Sequence, residues 1–234
     1  VKGGGNGDYK LLVLAPSSVQ EMNDFVDLGF ELAFKYRNPV LILTDGLIGQ
    51  MMEKVELSEF KPRLADEEIK QKYDSWASLG KPADRERNIL TSLELDSEQQ
   101  EKHNIHIQEK YKKMDDEEVR FEEYKCEDAE YIIVSYGSAA RICLKAMAIL
   151  REKGHKVGLL RPITLFPFPE KRLFELSGQC KGMLSVEMSS GQMIEDVKLA
   201  VRCSIPVRHF SRYGGVIPSP SEIVEYMEQQ LIGG

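Results

Sequence analysis

The residues with chemical promise stand where apolar runs break. Tyr136-Gly137-Ser138 follows the apolar run Tyr131–Ser135 and precedes a helical pattern. Backbone N–H groups at such a helix start hold anions readily. The dinucleotide fingerprint, however, needs three glycines in the order G-x-G-x-x-G, and Ala139, Ala140 and Arg141 follow here. A tight strand-to-helix turn with a serine cap is the better reading. Gly3-Gly4-Gly5-Asn6-Gly7-Asp8 is the most permissive backbone in the chain, suited to a cleft-lining loop or to a frayed terminus. Asp45-Gly46 closes a strand at the sheet edge where ligands collect, although a plain turn is the better reading. Glu187-Met188-Ser189-Ser190-Gly191-Gln192-Met193 is a polar strand-to-helix turn of the same kind.

Metal chemistry has little support. Cys126, Cys143, Cys180 and Cys203 are widely spaced with no Cys-x-x-Cys pair, which argues against a zinc site or iron–sulfur cluster built from this chain. His103 and His106 are three apart on a helical stretch but have no acidic or cysteine partner at a telling interval, so a solvated helix face is expected. Neither G-x-S-x-G, Walker A nor H-E-x-x-H occurs. Four free thiols suit a cytoplasmic address. A net charge of −7 with a pI near 5.3 argues against nucleic acid as the main partner. No apolar run approaches the ~20 residues that cross a bilayer.

The elements that must position these residues follow a βα rhythm. The run Leu11–Ala15 has the continuous apolar character of a strand covered on both faces. Ser17 or Ser18 can cap a helix over Val19–Tyr36, with Gln20 or Glu21 as reciprocal partner. Met22, Phe25, Val26, Gly29, Phe30, Ala33 and Phe34 form its expected apolar stripe. Arg37-Asn38-Pro39 ends it, and Val40–Thr44 is the next strand. Residues 53–127 are charged and lack β-branched runs. They read as a connecting arm with one long, mostly solvated helix from Ser97. From Ala129 strands return at Tyr131–Ser135, Val157–Leu160, Met183–Glu187 and Pro206–Phe210, with helices between them and a serine-capped last helix after Pro218. That pattern predicts a three-layer parallel α/β domain. Arg161-Pro162-Ile163-Thr164-Leu165-Phe166-Pro167-Phe168-Pro169 is stiff and aromatic, with no nucleophile set beside a base. It is expected to contact another subunit through Arg161, Phe166 and Phe168, with packing inside its own domain as the alternative. The bare glycine loop that opens the chain and the absence of an initiator methionine suggest numbering that starts inside a domain.

Residue chemistry alone names no reaction, but three segments carry a family resemblance. "GGGNGDYKLLVLAPSSVQEMNDFVDLGFELAFKYRNPVLILTDGLIGQMMEKVEL" (3–57), "VGLLRPITLFPFPEKRL" (157–173) and "VEMSSGQMIEDVKLAV" (186–201) resemble the alpha subunit of 2-oxoacid:ferredoxin oxidoreductases. The branch is that of 3-methyl-2-oxobutanoate (2-ketoisovalerate), and "RERNILTSLELD" (85–96) fits the connecting arm. The resemblance implies three parts. Residues 1–52 end a thiamine-diphosphate-binding pyrimidine-type domain, 53–127 are the charged arm, and 128–234 form a transketolase C-terminal-like α/β domain. It implies oxidative decarboxylation of a 2-oxoacid to an acyl-CoA, with electrons passing to ferredoxin. Thiamine diphosphate and its Mg would be shared with a partner subunit, and the iron–sulfur clusters would lie only in partners. Coenzyme A, ferredoxin and the other subunits are the implied partners, with no nucleic acid and no membrane. No residue matches the family's activating glutamate, so no catalytic residue and no metal ligand is assigned, and the chain alone is expected to be inactive. Gly5, Asn6, Gly7, Asp8, Asp45 and Gly46 are the implied cleft-lining residues. Asn6 departs from the family's histidine, which removes a proton-transfer role there. The competing readings are the same enzyme type acting on 2-oxoglutarate or pyruvate, a lipoamide-linked 2-oxoacid dehydrogenase first component, and a non-catalytic α/β binding module.

Overall fold

Leu12, Val13 and Leu14 have no polar neighbours to alternate with, and all three are fully buried as strand β1 (Leu12–Leu14). The structure is a computed structural model that describes residues 3, 7–78, 80–81, 83–91 and 93–233. Helix α1 (Val19–Tyr36) follows and returns the chain to β2 (Val40–Ile42), which runs parallel to β1 with Leu12 opposite Val40 and Leu14 opposite Ile42. Ser18 caps α1 by accepting from the Glu21 amide at 3.1 Å, and Arg37 ends it in a left-handed conformation before Pro39. The buried row is Phe25, Gly29, Leu32 and Tyr36, whereas Val26 and Phe30 are exposed. The expected stripe therefore mixed two neighbouring apolar rows. Periodicity locates a helix, but it does not say which of two adjacent rows meets the sheet. A short helix, α2 (Gly46–Gln50), follows β2.

The chain divides into two compact units, residues 1–56 with 109–234, and residues 57–108. The cut at 56 falls close to the expected boundary after 52, and the cut at 108 falls inside the expected arm. In the second unit, α3 (Asp66–Tyr73) is followed by a turn in which the Arg85 guanidinium holds the Asp74 carboxylate at 2.8 and 3.0 Å. Helix α4 (Ser97–Glu117) begins in that unit and ends in the first, where Tyr111 and Met114 are buried. The expected arm thus gives its last part to the larger unit.

Next come β3 (Phe121–Tyr124), β4 (Tyr131–Val134), α5 (Gly137–Glu152), β5 (Val157–Pro162), β6 (Thr164–Phe166), α6 (Glu170–Ser177), β7 (Gly182–Glu187), α7 (Met193–Ala200), β8 (Val207–Ser211) and α8 (Pro220–Met227). Five of these strands form a sheet in the order β3-β5-β4-β7-β8, parallel except for β3, which is antiparallel to β5. Successive residues of β4 point to opposite faces. Ile132 and Val134 pack with Leu173 and Leu176 of α6 and Val197 of α7, while Ile133 packs with Leu150 of α5 and Ile223 of α8. The three-layer α/β expectation is met, with a mixed rather than wholly parallel sheet. Ser219 caps α8 as expected and forms a capping box with Glu222, with Pro220 in the first turn.

β6 leaves that sheet and joins the other one. It pairs antiparallel with β1, Val13 opposite Phe166, giving the order β2-β1-β6, and the Ala15 amide donates to the Ile163 carbonyl at 2.7 Å. This corrects the subunit-contact reading of Arg161, Phe166 and Phe168, which are only 5, 5 and 6% exposed. Phe166 meets Tyr111 edge-on, with ring centroids 6.3 Å apart, and Phe168 lies in the core beside α6. Arg161 turns inward. Its guanidinium donates to both Glu21 oxygens at 2.7 and 2.8 Å, to Ser17 Oγ at 2.6 Å and to Glu122 at 3.0 Å. A proline-stiffened aromatic loop serves a core as well as an interface, and here it closes the chain on itself.

Two outcomes follow from this packing. Phe166→Ala should lower the stability of the chain itself by about 3 kcal/mol or more, the cost of emptying a buried phenylalanine site, read as a lower urea midpoint. An unchanged midpoint with weakened subunit assembly would restore the interface reading. Acid should loosen the contact of Glu53 with α1 and Arg141. The Val19 amide and then the Arg141 guanidinium hold the Glu53 carboxyl below the ordinary value of 4.5, so its stabilisation is present at neutral pH. It is lost as pH falls through the depressed folded value. Melting curves of wild type and Glu53→Gln should therefore differ at pH 7 and converge as the pH falls well below the ordinary carboxyl value, whereas a constant offset would contradict the assignment.

Candidate functional site

The carboxyl edge of both sheets gathers the amino ends of four helices, and each end is already met by a carboxylate of this chain. At α1, Glu53 accepts from the Val19 amide at 3.0 Å and pairs with Arg141 at 2.7 Å. At α2, Asp45 Oδ1 accepts from the Leu47 and Ile48 amides, each at 3.0 Å. The other oxygen of Asp45 reaches α5, where Oδ2 accepts from the Ser138 amide at 3.1 Å and from Ser138 Oγ at 2.6 Å. At α7, the buried Glu187 accepts from the Gln192, Met193 and Ile194 amides at 2.9 to 3.0 Å and from the hydroxyls of Ser185 and Ser189. Helix amino ends favour negative charge, so these carboxylates stand where an anionic ligand would otherwise sit.

Tyr136-Gly137-Ser138 is thus an anion-receiving turn whose anion is Asp45. The serine does not cap α5, as expected from sequence. Tyr136 is the cap residue and makes no side-chain cap bond, while Ser138 donates to Asp45. Gly137 has φ +62°, and a Cβ there would stand 3.2 Å from Asp45 Oδ2, so both backbone and space call for glycine. A cavity of about 220 Å³ lies at this edge, lined by Leu43, Thr44 and Asp45 on one side and by Tyr136, Glu187 and Gln192 on the other. It spans the point where β4 and β7 send their crossovers in opposite directions, which is where open α/β sheets bind ligands. Burial, with Glu187 and Asp45 nearby, pushes the Tyr136 phenol up, so it stays protonated at neutral pH. His209 Nε2 lies 3.4 Å from Glu187 Oε1.

The expected cleft residues that are described fall into two groups. Gly5 and Asn6 lie outside the described residues. Gly7, with φ +106°, and Asp8 precede β1 at its amino end, whereas Asp45 and Gly46 follow β2 at its carboxyl end. Because β1 and β2 are parallel, these are opposite ends of the sheet. Of the described ones, Asp45 lines the cavity. Sequence reasoning did not find the Asp45–Ser138 contact, whose partners are 93 residues apart, or the Arg161–Glu21 contact, at 140 residues. The one legible sign was an aspartate at a strand end ahead of a helix.

A second cleft, of about 610 Å³, lies in the same unit against Lys10, Val119, Phe121, Phe166, Phe168 and Arg172. Arg172 is held by Glu123 and Glu175, and the Lys10 amine sits 4.8 Å above the Phe166 ring. Among the described residues no three His, Cys, Asp or Glu side chains are placed to share a metal. Burial pushes the Cys126 and Cys143 thiols up to about 12 and that of Cys180 to about 11, which makes them inert core residues. No helix among the described residues is long and apolar enough to cross a membrane.

The comparisons with known proteins agree with one another. Residues 6–125 match the family described as pyruvate flavodoxin/ferredoxin oxidoreductase, thiamine-diphosphate-binding, and 129–223 match pyruvate:ferredoxin oxidoreductase core domain II. Ketoisovalerate oxidoreductase subunit VorB of Methanothermobacter thermautotrophicus is 46% identical over 231 residues, 98% of this chain and 63% of that protein. VorB of Methanothermobacter marburgensis is 48% identical over 217 residues, 92% of this chain and 59% of that protein. The 2-oxoglutarate synthase subunit KorA of Methanocaldococcus jannaschii is 34% identical over 94% of this chain and 64% of its own length. The chain thus spans just under two thirds of these relatives. A solved 2-oxoglutarate:ferredoxin oxidoreductase from Magnetococcus marinus shares the fold with a TM-score of 0.71, at 21% identity over 96% of this chain and 43% of that one. The diphosphate–magnesium end of thiamine diphosphate does not fit the described residues, because the helix amino ends that would cradle it already face carboxylates and no metal-holding cluster is present. The two matches meet between 125 and 129, and together they take in nearly the whole sequence. The chain belongs to the pyruvate flavodoxin/ferredoxin oxidoreductase family.

Proposed function

We propose that this chain is part of the alpha subunit of a 2-oxoacid:ferredoxin oxidoreductase acting on a branched-chain 2-oxoacid, 3-methyl-2-oxobutanoate. In this reading the 2-oxoacid is oxidatively decarboxylated, its acyl group passes to coenzyme A and its two electrons leave through iron–sulfur clusters to ferredoxin. The observation that carries the substrate branch is the 46 to 48% identity to two ketoisovalerate oxidoreductase subunits, against 34% or less to the 2-oxoglutarate synthase subunits compared.

The geometry supports a division of labour. The carboxylate-filled helix ends repel a diphosphate, so that group and its magnesium belong on a partner subunit. The cysteines are scattered and three are buried, so the clusters belong on partners too. Thiamine diphosphate is the shared cofactor, and the cytoplasm is the compartment. Asp45 and Gly46 remain proposed neighbours of the cleft, joined there by Thr44 and Gln192.

The test is a substrate panel. The full-length subunit, purified with its co-expressed partners, should reduce a dye with 3-methyl-2-oxobutanoate and coenzyme A at a kcat/KM about tenfold or more above that for 2-oxoglutarate or pyruvate, the size of preference that side-chain fit supplies. This chain alone should give no turnover. A preference for 2-oxoglutarate would move the protein to the neighbouring branch, and turnover that needs lipoamide in place of coenzyme A would overturn the reaction class.

A further inference from the structure

We propose that Ser138 is a positioning residue for this reaction, acting through Asp45 to hold one wall of the switch-point cavity. The inference rests on the functional reading above for the reaction it names, and on the geometry for the residue.

The wall in question is the turn Leu43-Thr44-Asp45 with the short helix α2 behind it. Its ties to the rest of the chain are few. β2 pairs only with β1 among the described strands, and Thr44, Gly46, Gly49 and Gln50 are exposed. Ile48 is the one buried residue of α2, and the Leu43 amide donates to the Leu14 carbonyl at 2.8 Å, so at the turn itself the Asp45 carboxylate is the side-chain tie to the opposite wall. The opposite wall is rigid by comparison. Tyr136 and Gly137 continue the central strand β4, and Glu187 is fixed by five hydrogen bonds at the end of β7. Between the walls lies a 220 Å³ cavity at the edge where α/β sheets bind ligands.

Ser138 is placed to set the distance between the walls. It is 2% exposed, and its hydroxyl donates to Asp45 at 2.6 Å, the short separation of a charge-assisted bond. Gly137 beside it has the conformation and the missing side chain that let the carboxylate approach. Asp45 divides its two oxygens between the walls, Oδ1 to α2 and Oδ2 to α5, so the turn cannot shift without stretching one set of bonds. Replacing Ser138 by alanine removes the strongest bond on one side and leaves the cap of α2 intact. Ser138 itself touches no ligand in this scheme.

The experiment uses the full-length subunit in its assembled complex, with Ser138→Ala, Ser138→Thr and Asp45→Asn. Steady-state kinetics with 3-methyl-2-oxobutanoate is read beside hydrogen exchange of residues 43–50 and the melting temperature. Ser138→Ala should raise KM about tenfold with kcat within about twofold, the pattern of lost uniform binding, and should speed exchange at 43–50. Ser138→Thr, which keeps the hydroxyl, should restore KM. If Ser138→Ala fails to assemble, Asp45→Asn carries the same readouts, because its amide keeps the cap but weakens the bond to Ser138. A lower melting temperature with unchanged KM and kcat would make Ser138 purely structural and overturn the proposal. A wild-type complex that turns over no 2-oxoacid would instead overturn the functional reading, so the two failures are distinct.

Discussion

A carboxylate that caps a helix of its own layer and then reaches a helix of the other layer constrains both at once. Asp45 does this between α2 and α5, and Glu53 repeats the theme between α1 and Arg141. The physics is ordinary. Helix amino ends carry unsatisfied N–H groups and partial positive charge, and an intrachain anion satisfies both without drawing an ion from solvent. The consequence reaches the whole carboxyl edge of the molecule. Where many α/β proteins leave a helix end open for a phosphate, this chain keeps its ends closed, and the polar edge holds layers together instead of gripping an anionic ligand.

The buried arginine completes that seam. Arg161 stands on β5, yet its guanidinium lies against Ser17 and Glu21 at the start of α1. The Arg161 side chain is only 6% exposed, so losing Glu21 would take both Glu21 bonds from a buried charge and leave Ser17 and Glu122 as its partners. Immediately beyond Arg161 the chain crosses to pair β6 with β1, so the charge contact and the strand exchange fall within six residues of each other. Lys35 and Tyr36, at the far end of α1, meet the buried Glu118 at 2.7 Å each. Burial raises the Glu118 carboxyl, and the bonds from Lys35, Tyr36 and Arg120 outweigh it, so the group stays charged at neutral pH. Both ends of α1 are thereby tied to chain more than 80 residues away.

Local structure is written in local sequence, and contacts that depend on the third dimension leave no local sign. Ser18, Pro39 and Ser219 mark helix ends by their own backbone chemistry, and those ends stand where they were expected. The apolar runs at 131–135, 157–160 and 183–187 became the central strands because no other structure covers such runs on both faces. β6 was missed because three residues between prolines carry no period, and its partner lies 150 residues upstream. β3 was missed because Phe121-Glu122-Glu123-Tyr124 is charged, as an edge strand should be. The candidate site was half legible. Asp45 was singled out by its place at a strand end, but that its ligand is Ser138 depends on how two layers meet. Grouping Gly7 and Asp8 with Asp45 failed for a simple reason, since parallel strands send consecutive entry and exit loops to opposite ends.

The central claim is that residues 12–56 and the five-stranded sheet form one cooperative body, joined by intrachain carboxylate and arginine contacts. Native-state hydrogen exchange under rising urea tests it most directly, because it reports the opening of each segment separately. The slowest amides of β1 and α1 should open with the same free energy and the same urea dependence as those of β4 and β7. If β1 and α1 open first, at lower urea and with a smaller slope, while β4 and β7 stay protected, the two layers are separate units and the seam does not hold them.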